Sequence, residues 1–287
     1  IIYYCINFYV DMVDSIVNWI YQFFSTLSPS ILFLCVVLVG MFVCWRGAME
    51  TRKDRSSTFD LFVISIFLGF VAGRVIYIIS NLNDFSGYIW YWLPYEKYGD
   101  QVYWFRLLPW RFINIFDGGL NILAMFVVYL LSASFWSSKV KKWRWSQMFP
   151  TIYFSGETML ALSFVLLGLN SANSNWVLQG FILLVFPIIS ILMINFVNRV
   201  QKPLLEKRIY LLANAILACI SGSIVGYIYN LGDINIYERI AMYIFFAWTF
   251  FSVIFFVKDL KQANVVIEKV SSVREIGINH SFKSPRK

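Results

Sequence analysis

The chain has 287 residues, of which 59% are hydrophobic, 20% aromatic and only 14% charged. This composition excludes an ordinary soluble domain, in which about a quarter of the residues are charged. The net charge is +8, but the Lys and Arg residues are spread among separate loops and form no single stripe. A nucleic-acid-binding surface is therefore not predicted.

Residues 1–28 precede the predicted membrane domain. This segment is apolar and aromatic, and Asp11 and Asp14 interrupt it. Such a pattern favours either an interfacial helix on the outer leaflet or a short additional membrane segment. Both interpretations stay open at the level of the sequence.

Residues 29–258 are predicted to form a membrane domain. Several apolar runs reach the ~20 residues that a helix needs to cross the hydrocarbon core. In hydrocarbon, the backbone N–H and C=O groups of each segment must form hydrogen bonds with one another, as they do in a helix. The alternation of apolar and polar residues that is typical of barrel strands is absent. We therefore predict an all-α polytopic bundle of about seven transmembrane helices. The predicted spans are residues 29–45, 59–82, 119–136, 148–169, 177–196, 209–229 and 237–257.

Clusters of Lys and Arg follow the first, third, fifth and seventh spans. The loop at residues 171–176 has no cation, and the loop at residues 231–238 carries Asp233 and Glu238. By the positive-inside rule the basic loops face the cytoplasm. We therefore expect the N-terminus outside and the C-terminus in the cytoplasm.

Two further segments flank the spans. The loop at residues 83–117 is rich in Trp and Tyr, which favour the headgroup layer, so we expect it at the outer interface. Residues 259–287 form a basic cytoplasmic tail, which we expect to be helical at first and then disordered.

Residues that commonly carry chemistry are scarce. The four cysteines share no metal-binding spacing, and the single histidine, His280, lies in the polar tail. Phosphate-binding glycine loops, zinc motifs and nucleophile elbows are absent. The sequence therefore predicts no metal site and no cofactor.

Arg74 in the second span and Glu157 in the fourth are charged residues inside predicted membrane helices. Their Cα depths differ by roughly 7–8 Å at the helical rise per residue, so an ion pair between them is geometrically feasible. One interpretation is a structural ion pair or a snorkelling arginine. The other is a binding site for a lipid phosphate, in which Glu157 orients Arg74.

The segment at residues 116–121 leads into the third span. Gly118 and Gly119 allow backbone N–H groups to approach a ligand, and Asn121 adds an amide. The alternative is a plain turn into a helix with Asp117 as the N-cap. In the second span, Gly69 and Gly73 suit close helix packing.

Two of these segments carry a family resemblance. The stretch from residues 45–46 (Trp-Arg) through residues 59–61 (Phe-Asp-Leu), followed by Gly69 and residues 72–78 (Ala-Gly-Arg-Val-Ile-Tyr-Ile), looks like the second span of the prolipoprotein diacylglyceryl transferases. Residues 117–121 (Asp-Gly-Gly-Leu-Asn) are similar to that family's Asp-Gly-Gly-Leu-Ser segment. Seven spans with the N-terminus outside also agree. The likeness covers roughly residues 30–260 in architecture, and only the second and third spans carry matching motifs.

The resemblance implies transfer of a diacylglyceryl group from phosphatidylglycerol to the lipobox cysteine of a prolipoprotein. It implies a multi-pass protein of a bacterial-type plasma membrane, with a phospholipid and a prolipoprotein signal peptide as partners. Arg74 would hold the lipid phosphate, and the turn at Gly118 and Gly119 would shape the headgroup pocket. The predicted headgroup site consists of Arg74, Asp117, Gly118, Gly119, Asn121 and Glu157.

The chain also departs from the family pattern. The functional His of the family aligns with Leu123, and the fourth span offers neither the Arg nor the Asn of the family signature. In the sixth span, Ser223 follows Gly222 where the family has a further arginine nearby. Each lost group would cost several kcal/mol of transition-state stabilisation. The replacements for a divergent enzyme would be Glu157 or the loop residues Asp100, Arg106 and Arg111.

Two main hypotheses follow. The first is a divergent enzyme of the transferase family. The second is a degenerate, non-catalytic relative that binds an anionic lipid or a membrane partner. A small transporter or channel is a third hypothesis, but the chain shows no inverted repeat and no matched pair of broken helices.

Overall fold

A computed structural model describes residues 2–50, 55–86, 95–98, 100–104, 119–143, 145–199, 204–230 and 235–281. This part of the chain is almost entirely helical, which confirms the predicted all-α membrane bundle. The helices are α1 (Ile2–Thr26), α2 (Pro29–Glu50), α3 (Arg55–Ser80), α4 (Leu82–Ser86), α5 (Ile122–Phe135), α6 (Trp145–Asn170), α7 (Ser174–Arg199), α8 (Leu204–Asn230) and α9 (Ile236–Ser281).

Six helical segments of the described chain are each long and apolar enough to cross a membrane: α3, α5 together with the π-helical turn Trp136–Val140 that continues it, α6, α7, α8 and α9. Helices α1 and α2 meet at an angle of 99°, and together they form a seventh span if the bent pair counts as one. Six of the predicted spans overlap these helices, and the predicted span at residues 29–45 overlaps α2, which counts as a span only together with α1. The outward faces of the helices are apolar, as lipid contact requires, with exposed side chains such as Phe67, Leu192 and Phe250.

Helix α6 lies at the centre of the bundle. It packs against α2, α5, α7, α8 and α9, and residues 148–161 are all buried. A helix surrounded by other helices must satisfy its polar groups internally. Accordingly, Ser155 shares a hydrogen bond of 2.6 Å with Tyr129 of α5, and Tyr153 shares one of 2.7 Å with Ser221 of α8.

Irregular structure occurs at both ends of α5. A π-helical turn, Trp136–Val140, continues α5 directly, and the sequence analysis did not predict it. Part of the loop before α5 forms an antiparallel hairpin of β1 (Tyr95–Tyr98) and β2 (Gln101–Trp104). The interfacial position predicted for this loop stays a prediction, since most of residues 87–118 lie outside the described part of the chain.

The predicted tail begins inside α9. This helix has 46 residues and runs from the last span as far as Ser281, so the helical part of the tail is longer than its polar composition suggested.

The two ends of the bundle are named after residues that lie there. The Asn121 end holds the start of α5 and the end of α3, and the Lys141 end holds the π-helical turn.

Candidate functional site

Helices α3 and α5 approach each other closely at two glycines. A Cβ atom on Gly69 would lie 2.7 Å from the carbonyl oxygen of Met125, and one on Gly73 would lie 2.9 Å from that of Asn121. Real Cβ atoms do not come so close to a backbone oxygen, so only glycine fits at these positions. The predicted role of Gly69 and Gly73 in close packing is confirmed.

The start of α5 is fixed to α3 through Asn121. The backbone N–H of Asn121 donates to the carbonyl of Gly73 at 3.1 Å. Its side-chain oxygen accepts from the N–H of Ala124 at 2.9 Å, which makes Asn121 the N-cap of the helix. The alternative in which Asp117 caps this helix is therefore wrong. Asp117 and Gly118 lie outside the described residues.

Gly119 turns the chain toward α3. Its φ angle is +119°, a conformation that a residue with a Cβ atom rarely adopts, so this position requires glycine. The turn directs the Gly119 carbonyl at Arg74, whose Nη1 donates to it at 2.7 Å. The two segments that carry the family resemblance are therefore in direct contact.

Arg74 is almost fully buried, with 5% of its surface exposed. Its guanidinium lies 5.6 Å from the ring centroids of both Tyr77 and Phe85. Contacts with aromatic faces and with a backbone carbonyl stabilise a cation that hydrocarbon would otherwise penalise. The same contacts set the direction of the side chain, which reaches the Asn121 end.

Glu157 lies apart from this assembly. It is fully buried on α6, near Tyr153. Neither of its carboxylate oxygens has a hydrogen-bond partner in the described part of the protein. The predicted pair of Arg74 and Glu157 is thus not formed, because Gly119 and the aromatic rings hold the guanidinium elsewhere.

A cavity of about 920 Å³ with both polar and apolar lining side chains opens at the Asn121 end. Ends of α3, α5, α6, α7, α8 and α9 line it, and Tyr77 and Asn121 connect it to the Arg74 assembly. We call it the amide cavity, since its described lining contains the carboxamide side chains of Asn81, Asn121, Asn173, Asn175, Gln179 and Asn235.

Glu238 is the one charged side chain in the described lining of the amide cavity. Its Oε1 accepts from the side-chain amide of Asn121 at 3.3 Å, and its Oε2 accepts from the backbone N–H of Asn235 at 3.1 Å. Glu238 therefore caps the N-terminus of α9 and links it to the N-terminus of α5.

The sequence predicts Asn121 as a site residue but not the other amides of the cavity. The cavity collects the ends of six helices, and no single segment contains enough of it to form a motif. A signal was nevertheless present, since Asn173 and Asn175 lie in the segment at residues 171–176, which the sequence shows to have no cation.

No family model, no curated protein and no solved structure matches this chain. Its function must therefore be argued from the geometry of the site and from the resemblance of the two motifs. Among the residues that the structure describes, no cluster of three or more His, Cys, Asp or Glu side chains could hold a metal ion.

Proposed function

We propose that the chain is a divergent prolipoprotein diacylglyceryl transferase, which binds phosphatidylglycerol from the outer leaflet of a bacterial plasma membrane. The contact between the two motif segments carries this proposal. Arg74 and Gly119 are 45 residues apart in the sequence, yet a hydrogen bond of 2.7 Å joins them. A second bond joins Asn121 to Gly73 at 3.1 Å. Two segments that contribute to one binding site are expected to be in direct contact, as these are.

The amide cavity supports the proposal by its size and chemistry. A volume of about 920 Å³ lies within the range of ligand pockets. Carboxamides donate and accept hydrogen bonds, so they complement the hydroxyl groups of a glycerol headgroup. Arg74 is not part of the described lining, so a phosphodiester would bind on the Tyr77 side of the cavity, away from the Glu238 carboxylate and next to the assembly that contains Arg74.

The proposed reaction makes one bond and breaks one. The cysteine sulfur bonds to the diacylglyceryl carbon, the bond from that carbon to the phosphate oxygen breaks, and glycerol phosphate leaves. The thiol must lose its proton, and the leaving group must be stabilised. Glu157 is sealed among helices, so we assign the proton transfer to the loop before α5, which contains Asp100, Arg106 and Arg111.

A non-catalytic lipid-binding protein is the second candidate function, and one observation favours it. Leu123 occupies the position where the resemblance places a histidine, and only 1% of its surface is exposed. It packs in the hydrophobic core with Phe126 and borders the amide cavity with an apolar side chain, so this position offers no base. In this candidate the amide cavity binds a phospholipid without chemistry.

Complementation of a bacterium depleted of its own transferase separates the two candidates. The transferase proposal predicts that the chain restores lipoprotein maturation and that Arg74→Ala abolishes the rescue. Arg239→Ala is the matched control, since Arg239 is an exposed cation in the first turn of α9 at the same end of the bundle. Normal membrane insertion without rescue would refute the transferase and leave the lipid-binding candidate.

A further inference from the structure

A second groove lies at the Lys141 end, opposite the amide cavity. It has a volume of about 650 Å³ and runs between the end of α5, with its π-helical turn, and α9. We call it the lysine groove, because Lys139, Lys142 and Lys258 line it. All three side chains are exposed, and the described lining contains no acidic residue.

The floor of the lysine groove is rigid and aromatic. The indole of Trp248 donates to Ser134 at 3.0 Å, and the indole of Trp145 donates to the carbonyl of Ser252 at 3.0 Å. The two rings meet edge to face at 6.2 Å. These bonds join α5, α6 and α9, so the groove is a fixed feature of the bundle.

The groove opens onto the face that lipid chains contact. Phe135, Phe251 and Phe255 line it, and between 57% and 62% of each side chain is exposed. An apolar wall beside a cluster of cations matches an amphiphile with a negative head and hydrocarbon tails.

Lys142 occupies a backbone conformation that favours glycine. Its φ angle is +52°. It lies just after the π-helical turn, whose end is capped by a hydrogen bond of 2.9 Å from the N–H of Trp143 to the carbonyl of Ser137. Glycine is the usual residue at such a position. A lysine there costs stability, which suggests that its charge serves a purpose other than folding.

From the three cations, the aromatic floor and the apolar wall, we propose that the lysine groove binds an anionic phospholipid. The phosphate lies among Lys139, Lys142 and Lys258, and the acyl chains follow the exposed phenylalanines. Basic pockets between transmembrane helices are suited to such headgroups. This site is independent of the proposed transferase site, which lies at the other end of the bundle.

Photo-crosslinking of the full chain in nanodiscs tests the proposal. The probes are phosphatidylglycerol and phosphatidylcholine with the same photoreactive acyl chain, and the adducts are mapped to peptides. We expect the phosphatidylglycerol probe to label peptides from residues 134–143 and 251–258 several-fold more than the phosphatidylcholine probe. Equal labelling by the two probes would overturn the proposal.

Substitutions test whether the preference for phosphatidylglycerol arises at the lysine groove. Lys142→Gln and Lys258→Gln should each weaken competition by unlabelled phosphatidylglycerol about five-fold. Lys141→Gln is the matched control, since the Lys141 ammonium donates to Ser57 at 2.9 Å and does not line the groove. Lys142→Gly should weaken competition to the same extent without lowering the melting temperature. Equal losses in Lys141→Gln, or none in the groove variants, would overturn the proposal.

Discussion

Arg74 shows how a single charge is accommodated inside a membrane bundle. Its bond to Gly119 and its two aromatic neighbours replace the hydration that it loses. The sequence indicated that Arg74 is important, because ionisable residues are rare in membrane helices. It could not indicate the partner, since Gly119 contributes a backbone carbonyl, which any residue type possesses.

Glu157 is the opposite case, a buried carboxyl group whose oxygens lack hydrogen-bond partners. Because a polar group without partners is costly in the interior, we predict that Glu157→Met, which removes the carboxyl group and keeps a similar volume, raises the melting temperature by a few degrees, or roughly 1 kcal/mol. Differential scanning fluorimetry of the purified protein in detergent measures this. A fall of several degrees would show instead that the carboxyl group stabilises the bundle.

At the scale of helices, the contact between α3 and α5 holds the candidate site together. We predict that Gly69→Ala destabilises the protein by about 1–3 kcal/mol, because the new methyl group would clash with the backbone of Met125. That clash outweighs the gain of about 0.5–1 kcal/mol that alanine brings to a helix interior.

Gly222→Ala is the matched control for this prediction. A Cβ atom there would lie 3.4 Å from its nearest neighbours, which is ordinary contact. We expect this variant to be as stable as the original or slightly more so. Equal melting temperatures for Gly69→Ala and Gly222→Ala in detergent would contradict the role given to the contact between α3 and α5.

The helices were more predictable than their ends. Apolar runs of sufficient length define α3 and α5 to α9 in the sequence, because hydrocarbon permits little but helix. The π-helical turn after Phe135 and the N-cap at Asn121 depend on local contacts that the apolar pattern does not record. For the same reason the sequence suggested Asp117, and not Asn121, as the cap of this helix.

For the whole molecule, the distribution of Lys and Arg predicts that the Asn121 end faces outward and the Lys141 end faces the cytoplasm. Cysteine labelling in intact cells tests this, in a background without the native cysteines. Exposed positions at the two ends are Ser171 and Val140. We expect Ser171→Cys to react with an impermeant maleimide in intact cells, and Val140→Cys to react only after lysis. The reverse pattern would invert the proposed topology.

The amide cavity is a feature of the whole bundle. It exists because six helix ends converge, so its volume and lining follow from packing and not from any one segment. The sequence supplied Arg74, Gly119 and Asn121, which the structure joins, and Glu157, which it places elsewhere. Distances between helices decide such outcomes, and a single sequence does not contain them.

The central claim is that the assembly of Arg74, Gly119 and Asn121 forms part of a phospholipid headgroup site. Native mass spectrometry of the purified protein tests it by counting the lipids that remain bound. We predict that the original chain and Arg239→Ala retain one more phosphatidylglycerol than Arg74→Ala. The lipid bound in the lysine groove should be retained by all three proteins. The same number of bound lipids in all three proteins would contradict the claim.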